Sequence, residues 1–251
     1  PLHILYSTPR WLVEKWTAQF GPEAARKLLQ WNNTTPRLYV RANSLIPLND
    51  PPEGLVPLGG APGWFSVEGL LPLKDVNSGA LYVADPSTRY AIDLLAPQPD
   101  EEILDACAAP GGKSAAIIAA TGGKARLTAT DLHEHRLPVL RENLARYGSP
   151  SVATAQADWT QPCPPQWEKR FDAVLLDVPC SNTGVIQRRV DVRWRLNPEE
   201  IRRLAALQRT ILENASRAVR PGGRLVYSTC SIDAELSLIH ISEPTRRTPI
   251  S

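Results

Sequence analysis

The spacing of apolar positions changes character near residue 85. Before it, Trp11, Leu12, Lys15, Trp16, Ala18 and Gln19 follow Ser7, Thr8 and Pro9, a capping hydroxyl and a first-turn proline that predict a helix. Phe20-Gly21-Pro22 breaks it, and a second short helix runs from Glu23 to Trp31. Arg37 to Asn43 alternates with the two-residue period of a strand. Residues 44–80 are rich in Pro and Gly around short apolar pieces such as Trp64-Phe65-Ser66-Val67, the pattern of a small sheet with many turns. Ala80 to Leu95 reads as a strand edge followed by a helix.

From Glu102 onward, short apolar runs alternate with helical stretches. Strands are predicted at Ile103-Leu104-Asp105, at Arg126 to Thr130 with Asp131 at its end, at Ser151 to Gln156 ending near Asp158, at Phe171 to Leu176 ending at Asp177, and at Arg224 to Ser228. Between them lie helices at Lys113 to Ala120, at residues 133–147 with Pro138 weakening the first half, and at Pro198 to Val219. Gly111-Gly112 and Pro221-Gly222-Gly223 supply turns. Such alternation predicts an α/β fold, a parallel sheet with helices on both faces, preceded by a small α+β subdomain. The expected division is 1–85, 86–235 and a tail, 236–251, that has neither helical nor strand periodicity.

Composition narrows this picture only slightly. The 251 residues are 43% hydrophobic and 22% charged, enough for a sizeable core. A net charge of +2 permits a nucleic-acid partner without demanding one. No run of about 18 apolar residues is present, so no membrane span is expected. The N-terminal Pro1-Leu2-His3 lacks the layout of a signal peptide, which points to the cytoplasm. None of Cys107, Cys163, Cys180 and Cys230 forms a C-x-x-C pair, so no metal site is expected, and a cytosolic chain has little use for disulfides.

Ligands of parallel sheets bind beyond the carboxyl ends of the strands. Here the first strand delivers Asp105-Ala106-Cys107-Ala108-Ala109-Pro110-Gly111-Gly112-Lys113, whose small residues let the backbone approach a ligand. The G-x-G-x-x-G of a dinucleotide fold is absent, and the P-loop pattern fails because position 107 is Cys. Taken alone, Gly-Gly-Lys is a glycine turn. Asp131 can accept from ribose hydroxyls and Asp158 from an adenine amino group; singly, each reads as a cap or turn residue, and together they suggest a nucleoside pocket. The next two strand ends carry Asp177-Val178-Pro179-Cys180 and Tyr227-Ser228-Thr229-Cys230, two thiols at one rim. A thiolate adds to electron-poor rings when its setting activates it; the bland alternative is two buried core cysteines.

Asp-x-Cys-Ala-Ala-Pro-Gly-Gly-Lys, Asp-x-Pro-Cys-Ser-x-x-Gly and Ser-Thr-Cys-Ser together resemble the signatures of the RsmB/Sun (Fmu) family of RNA cytosine-5 methyltransferases. Val83-Ala84-Asp85-Pro86-Ser87 and the stretch from Gly184 to Trp194 add weaker likeness. The resemblance runs from about Thr8 to Asp233. It implies a Rossmann-like class I methyltransferase sheet in 86–235, an RNA-binding role for 1–85, and S-adenosylmethionine as cofactor. Cys107, Ala108, Ala109, Pro110, Gly111, Gly112 and Lys113 would wrap its methionine part, Asp131 its ribose and Asp158 its adenine, with Asp177 between cofactor and base. Cys230 would be the nucleophile and Cys180 would assist product release.

The target base has to leave any stack, so single-stranded or looped RNA is the expected partner, small-subunit ribosomal RNA first and transfer RNA second. Arg188, Arg189 and Arg193, with Trp194 among them, are the expected RNA contacts; Arg202 and Arg203 read equally as salt bridges to Glu199 and Glu200. Two other classes compete. One is an RNA-binding protein or fragment without turnover, because the tail lacks the family's closing helix and strands and leaves a sheet edge open. The other is a DNA cytosine methyltransferase, which takes its nucleophile from the Pro-Cys motif. A monomer is expected, and a helical RNA-binding domain often precedes this region in the family.

Overall fold

The computed structural model describes residues 1–48, 51–148 and 152–236. Its elements run α1 (Leu2–Leu5), α2 (Arg10–Phe20), α3 (Pro22–Trp31), β1 (Tyr39–Ala42), β2 (Leu55–Pro57), β3 (Trp64–Val67), α4 (Leu73–Ser78), β4 (Leu81–Val83), α5 (Arg89–Leu95), β5 (Glu102–Asp105), α6 (Gly112–Ala120), β6 (Arg126–Asp131), α7 (Leu137–Arg146), β7 (Ala153–Gln156), β8 (Phe171–Asp177), α8 (Val192–Arg195), α9 (Pro198–Ser216) and β9 (Val219–Ser228). Two compact units emerge, both discontinuous in sequence. One holds Arg37–Val178 and Arg209–Ser228; the other holds Pro1–Pro36, Pro179–Gln208 and the chain from Thr229 onward. Among the described residues no helix is long and apolar enough to cross a membrane.

The larger unit contains two sheets. The antiparallel one has the order β2-β3-β1-β4, and the parallel one β7-β6-β5-β8-β9. The parallel order reverses direction between β5 and β8, where a crevice opens at the strand ends. β8 is buried at every position from Phe171 to Leu176, the continuous apolar run expected of a central strand covered on both faces. Ala91, Ile92 and Leu95 of α5 and Ala116, Ile117 and Ile118 of α6 pack with Ile103, Leu127, Ala173 and Leu175 of the strands. Burial of each large aliphatic side chain there stabilises by about 1.5–3 kcal/mol. This is the Rossmann-like parallel sheet with a small antiparallel N-terminal sheet that the sequence leads one to expect.

Three local expectations are corrected. Ser7 and Thr8 do not cap α2: Pro9 occupies the N-cap with no side-chain bond, and Thr8 Oγ1 donates to the Tyr6 carbonyl instead. Pro138 does not weaken its helix, because it falls in the first turn of α7, where a missing N–H costs nothing. Pro221-Gly222-Gly223 is not a turn before the last strand but lies inside β9. The pairing with β8 jumps from Phe171↔Val219 to Ala173↔Arg224, so the extra residues bulge out where Pro needs no ladder bond, with Gly222 at φ 79°. Among the described residues β9 pairs only with β8. Residues 237–251, which include nearly all of the tail judged unpatterned, lie outside the described residues.

In the smaller unit, Gly21 at φ 82° turns the chain from α2 into α3, with Pro22 as the first residue of the new helix. Leu12, Val13 and Trp16 share one face of α2 and pack with Ala25 and Leu29 of α3 and with Ile186 and Val192.

Candidate active site

In the larger unit, β5 ends at the fully buried Asp105, and the chain then doubles back through Gly111 into α6. Backbone bonds stitch this loop to both neighbouring strands: Ala106 N donates to Leu175 O at 3.0 Å, and Ala108 N to Thr130 O at 2.7 Å. Glycine is required twice. Gly111 has φ 106°, and a Cβ on Gly112 would lie 2.1 Å from Tyr82 Oη. At Gly112 the loop therefore runs against β4 with no room for a side chain.

The carboxylates around this loop differ in state. Ser114 Oγ donates to Asp105 Oδ2 at 2.7 Å, but Asp105 Oδ1 has no partner. Burial above all, with Asp177 and Asp131 nearby, pushes its pKa up to about 7. Lys113 Nζ donates to Asp177 Oδ2 at 2.7 Å, an ion pair across the crevice. Asp131 accepts from the Ala109 amide at 3.3 Å and from His133 N at 3.0 Å, and Arg136 lies 3.1 Å from it, so it braces the loop from β6. Asp158 stands exposed after β7. Its Oδ1 accepts from the hydroxyl and amide of Thr160, which holds its carboxyl below the usual range. Burial drives the Cys107 thiol up to about 12, which keeps that sulfur protonated.

Cys107 to Pro110, Gly112, Lys113, Asp105 and Asp177 line one cavity of about 210 Å³. Its other wall comes from Arg41, Trp64, Tyr82 and Arg89, which the sequence reading missed. Their signal was faint: Arg41 and Tyr82 sit in short strands whose partners lie far apart in the chain, and they pair directly across β1 and β4.

In the smaller unit, Cys180 Sγ lies 2.6 Å from Cys230 Sγ, and Cys230 Sγ lies 3.1 Å from Asn182 Oδ1. The hydrogen bond from Cys230, aided by the Asn182 amide, outweighs burial and brings the Cys180 thiol down to about 6. A hydroxyl cluster locks their loops together. Ser181, Thr183 and Ser231 donate to Asp233 Oδ2 at 2.6, 2.8 and 3.0 Å, and Gly184 N donates to Cys230 O at 2.9 Å. A Cβ on Gly184 would meet that carbonyl at 2.6 Å, which explains glycine there. Asp233 was not foreseen; the hydroxyl residue following each cysteine was the available hint.

The expected RNA contacts separate. Arg188 and Arg189 are exposed, and Arg189 shares a groove with Cys180, Asn182, Arg195 and Asn197. Trp194 is 64% exposed. Arg193 is a correction: it is only 3% exposed, and its guanidinium donates to Tyr6 O, Ser7 O, Asn32 O and Asn33 Oδ1. It pins the N-terminal helices to α8 and cannot reach a phosphate. Arg202 and Arg203 pair with Glu199 and Glu200 at 2.9 and 2.7 Å along α9, the local salt bridges weighed from the sequence.

Known proteins carry the same pattern. The family model for 16S rRNA methyltransferase RsmB/F matches residues 92–249, and that for the RsmF/B-like ferredoxin-like domain matches residues 8–46. Ribosomal RNA small subunit methyltransferase B of Salmonella arizonae is 36% identical over 96% of this chain and 58% of its own length. A probable ribosomal RNA small subunit methyltransferase B of Bacillus subtilis is 33% identical over 90% of this chain and 53% of its own. The crystal structure of a methyltransferase homologue from Pyrococcus horikoshii superposes with a TM-score of 0.76 at 25% identity, over 94% of this chain and 77% of that one. The chain thus spans somewhat more than half the length of these curated relatives. Since the first family model covers well over half of the chain, the protein belongs to the 16S rRNA methyltransferase RsmB/F family.

Proposed function

We propose that this protein transfers a methyl group from S-adenosylmethionine to carbon 5 of a cytosine in RNA, with small-subunit ribosomal RNA as the first candidate. The observation that carries the reading is the thiol pair, Cys180 and Cys230, 2.6 Å apart in a loop framework held by Asp233. Methylation at nitrogen or oxygen needs no thiol; methylation at carbon 5 needs one, because that carbon is too weak a nucleophile unaided.

The cavity beside the glycine loop suits the cofactor. It combines a loop of small residues in which Gly112 has no room for a Cβ, a buried carboxylate oxygen lacking a donor, and cations on the opposite wall, a set of charges that matches a ligand bearing both signs. Residues 107–113 and Asp177 would hold the methionine end, Asp131 the ribose and Asp158 the adenine. S-adenosylmethionine, when bound, supplies an electrophilic methyl group.

The rest falls to the chain itself. Cys230 gives its proton to the Cys180 thiolate and its sulfur adds to carbon 6 of the ring, and the electron pair of the carbon 5–carbon 6 bond moves to carbon 5, which takes the methyl group. Asp177 hydrogen-bonds the ring and stabilises the adduct. A base then removes the carbon-5 proton, the double bond re-forms, and Cys230 leaves as thiolate. Cys180, once it has passed the proton of Cys230 on to solvent, supplies or relays that base, a contribution worth roughly 10²–10⁴-fold. Arg188 and Arg189 meet the RNA backbone beside the thiols, and Trp194 offers a face for stacking. In this reading residues 1–85 assist RNA binding, and the protein works as a cytoplasmic monomer on looped or single-stranded RNA.

The test is adduct trapping with small-subunit ribosomal RNA and S-adenosylmethionine. Cys180→Ser is expected to accumulate a protein–RNA adduct that survives a denaturing gel, and Cys230→Ser to form none. The opposite pattern would exchange the two roles; methylated RNA from the Cys230→Ser protein would remove the covalent route altogether.

A further inference from the structure

Lys15 and Gln19 stand one turn apart on α2, and both meet the segment that follows Cys230. Gln19 Nε2 donates to the Ile232 carbonyl at 2.8 Å, and Lys15 Nζ donates to both carboxylate oxygens of Glu235 at 2.5 Å. Lys15 Nζ also lies 3.9 Å from Asp233 Oδ1, an oxygen buried without a hydrogen-bond donor. The Asp233 side chain is fully buried, so its charge is costly unless a cation and several donors face it. Oδ2 has the donors. The hydroxyls of Ser181, Thr183 and Ser231 direct their protons at it, and each hydroxyl has one proton to give. Their lone pairs accept in turn: Ile232 N donates to Thr183 Oγ1 at 3.2 Å, and Asp233 N to Ser231 Oγ at 3.1 Å. The carboxylate thus ties the loop of Cys180 to the loop of Cys230.

We propose that Asp233 and Lys15 are positioning residues for the thiol pair: the carboxylate gathers the hydroxyls beside the two cysteines, Lys15 holds that carboxylate from α2, and the sulfurs are thereby kept in contact. Asp233 is sealed from solvent, so it acts through the loops and not on a substrate. Its charge is what the arrangement needs. Hydrogen bonds to a carboxylate are roughly twice as strong as those to a neutral acceptor, which is why three hydroxyls converge on one oxygen instead of donating to each other. The assignment gives α2 a part in the chemistry besides the RNA binding proposed for residues 1–85. What the thiols do rests on the function proposed above; what keeps them in contact does not.

Iodoacetamide alkylation of Cys180 against pH tests this, because the bond from Cys230 that lowers the Cys180 thiol to about 6 holds only while the sulfurs stay in contact. Asp233→Asn is expected to raise the midpoint by about half a unit to one unit, the worth of a weakened hydrogen bond. Lys15→Met is expected to raise it too, and Lys15→Arg to keep the wild-type value. A charge effect through space has the other sign for Asp233→Asn: losing a negative charge favours the thiolate and lowers the midpoint. A lowered or unchanged midpoint in Asp233→Asn, or an unchanged one in Lys15→Met, therefore overturns the proposal, whatever the melting temperature does. If Asp233→Asn does not fold, Ser231→Ala, which alters no charge, replaces it; a raised midpoint supports the proposal and an unchanged one overturns it. In methyl transfer to small-subunit ribosomal RNA, the same variants are expected to lower kcat by about tenfold or more and to leave the KM for RNA as it is. A wild-type chain that transfers no methyl group sinks the proposed function, and the thiol midpoint still decides the positioning.

Discussion

The sulfurs of Cys180 and Cys230 lie 2.6 Å apart although 50 residues separate them in the chain. An S–H of Cys230 that donates to the Cys180 sulfur favours the Cys180 thiolate, so removing that donor changes the acidity of Cys180. Because Cys180 is lowered to about 6 chiefly by the bond from Cys230, its thiolate should be abundant above that pH and disappear as pH falls through it. In Cys230→Ala, which removes that donor, the midpoint should move up towards the ordinary thiol value. Alkylation rate by iodoacetamide against pH, read at Cys180 by mass spectrometry, checks this; identical profiles in the two proteins would exclude that hydrogen bond.

Gly112 and Tyr82 form a second coupled pair. Gly112→Ala would force a methyl group to within 2.1 Å of Tyr82 Oη, and overpacking of this kind costs about 1–3 kcal/mol. Removing the hydroxyl in Tyr82→Phe should recover part of that loss in the double variant. Urea unfolding of the four proteins measures the coupling, and strictly additive values would show that the contact is loose.

Asp105 predicts an unusual pH dependence. Its folded pKa of about 7 lies above its model-peptide value of 3.8, so the folded protein binds the extra proton between those limits. Its contribution to stability is therefore full at low pH and falls as pH rises from about 4 to about 7. Asp105→Asn should be more stable than the wild type at pH 8, by at most about 4 kcal/mol, and the gain should vanish towards pH 4. Thermal melts of the ligand-free proteins across that range decide it.

Arg193 and Arg189 should behave in opposite ways. Arg193→Ala removes the donor for several buried carbonyls and should destabilise by about 2–3 kcal/mol. Arg189→Ala, on the surface, should leave the melting temperature within a degree or two while weakening RNA binding and flattening its salt dependence. Filter binding at two salt concentrations, alongside melts, separates the two roles.

Strand ends and the glycine loop were legible from the chain alone because they are local. Asp105, Asp131 and Asp177 close their strands as the two-residue period and the following turns indicate, and Gly111-Gly112 opens α6 as its composition suggests. Pro138 and Pro221 were misjudged for one reason. A proline's effect depends on whether its position needs an N–H, and that is set by helix phase and by the neighbouring strand.

Sequence by itself determined the order of strands and helices, the place of the small-residue loop and the cysteines worth watching, since hydrophobic period and covalent spacing are properties of neighbouring residues. Only the tertiary structure decided that burial pushes the Cys107 thiol up while Cys180 lies within hydrogen-bond reach of Cys230, that Asp177 is paired with Lys113 while one oxygen of Asp105 lacks a donor, and that Arg193 is buried while Arg189 is not. Acidity and partnership depend on which groups burial brings within hydrogen-bonding reach, and those groups come from segments many residues apart.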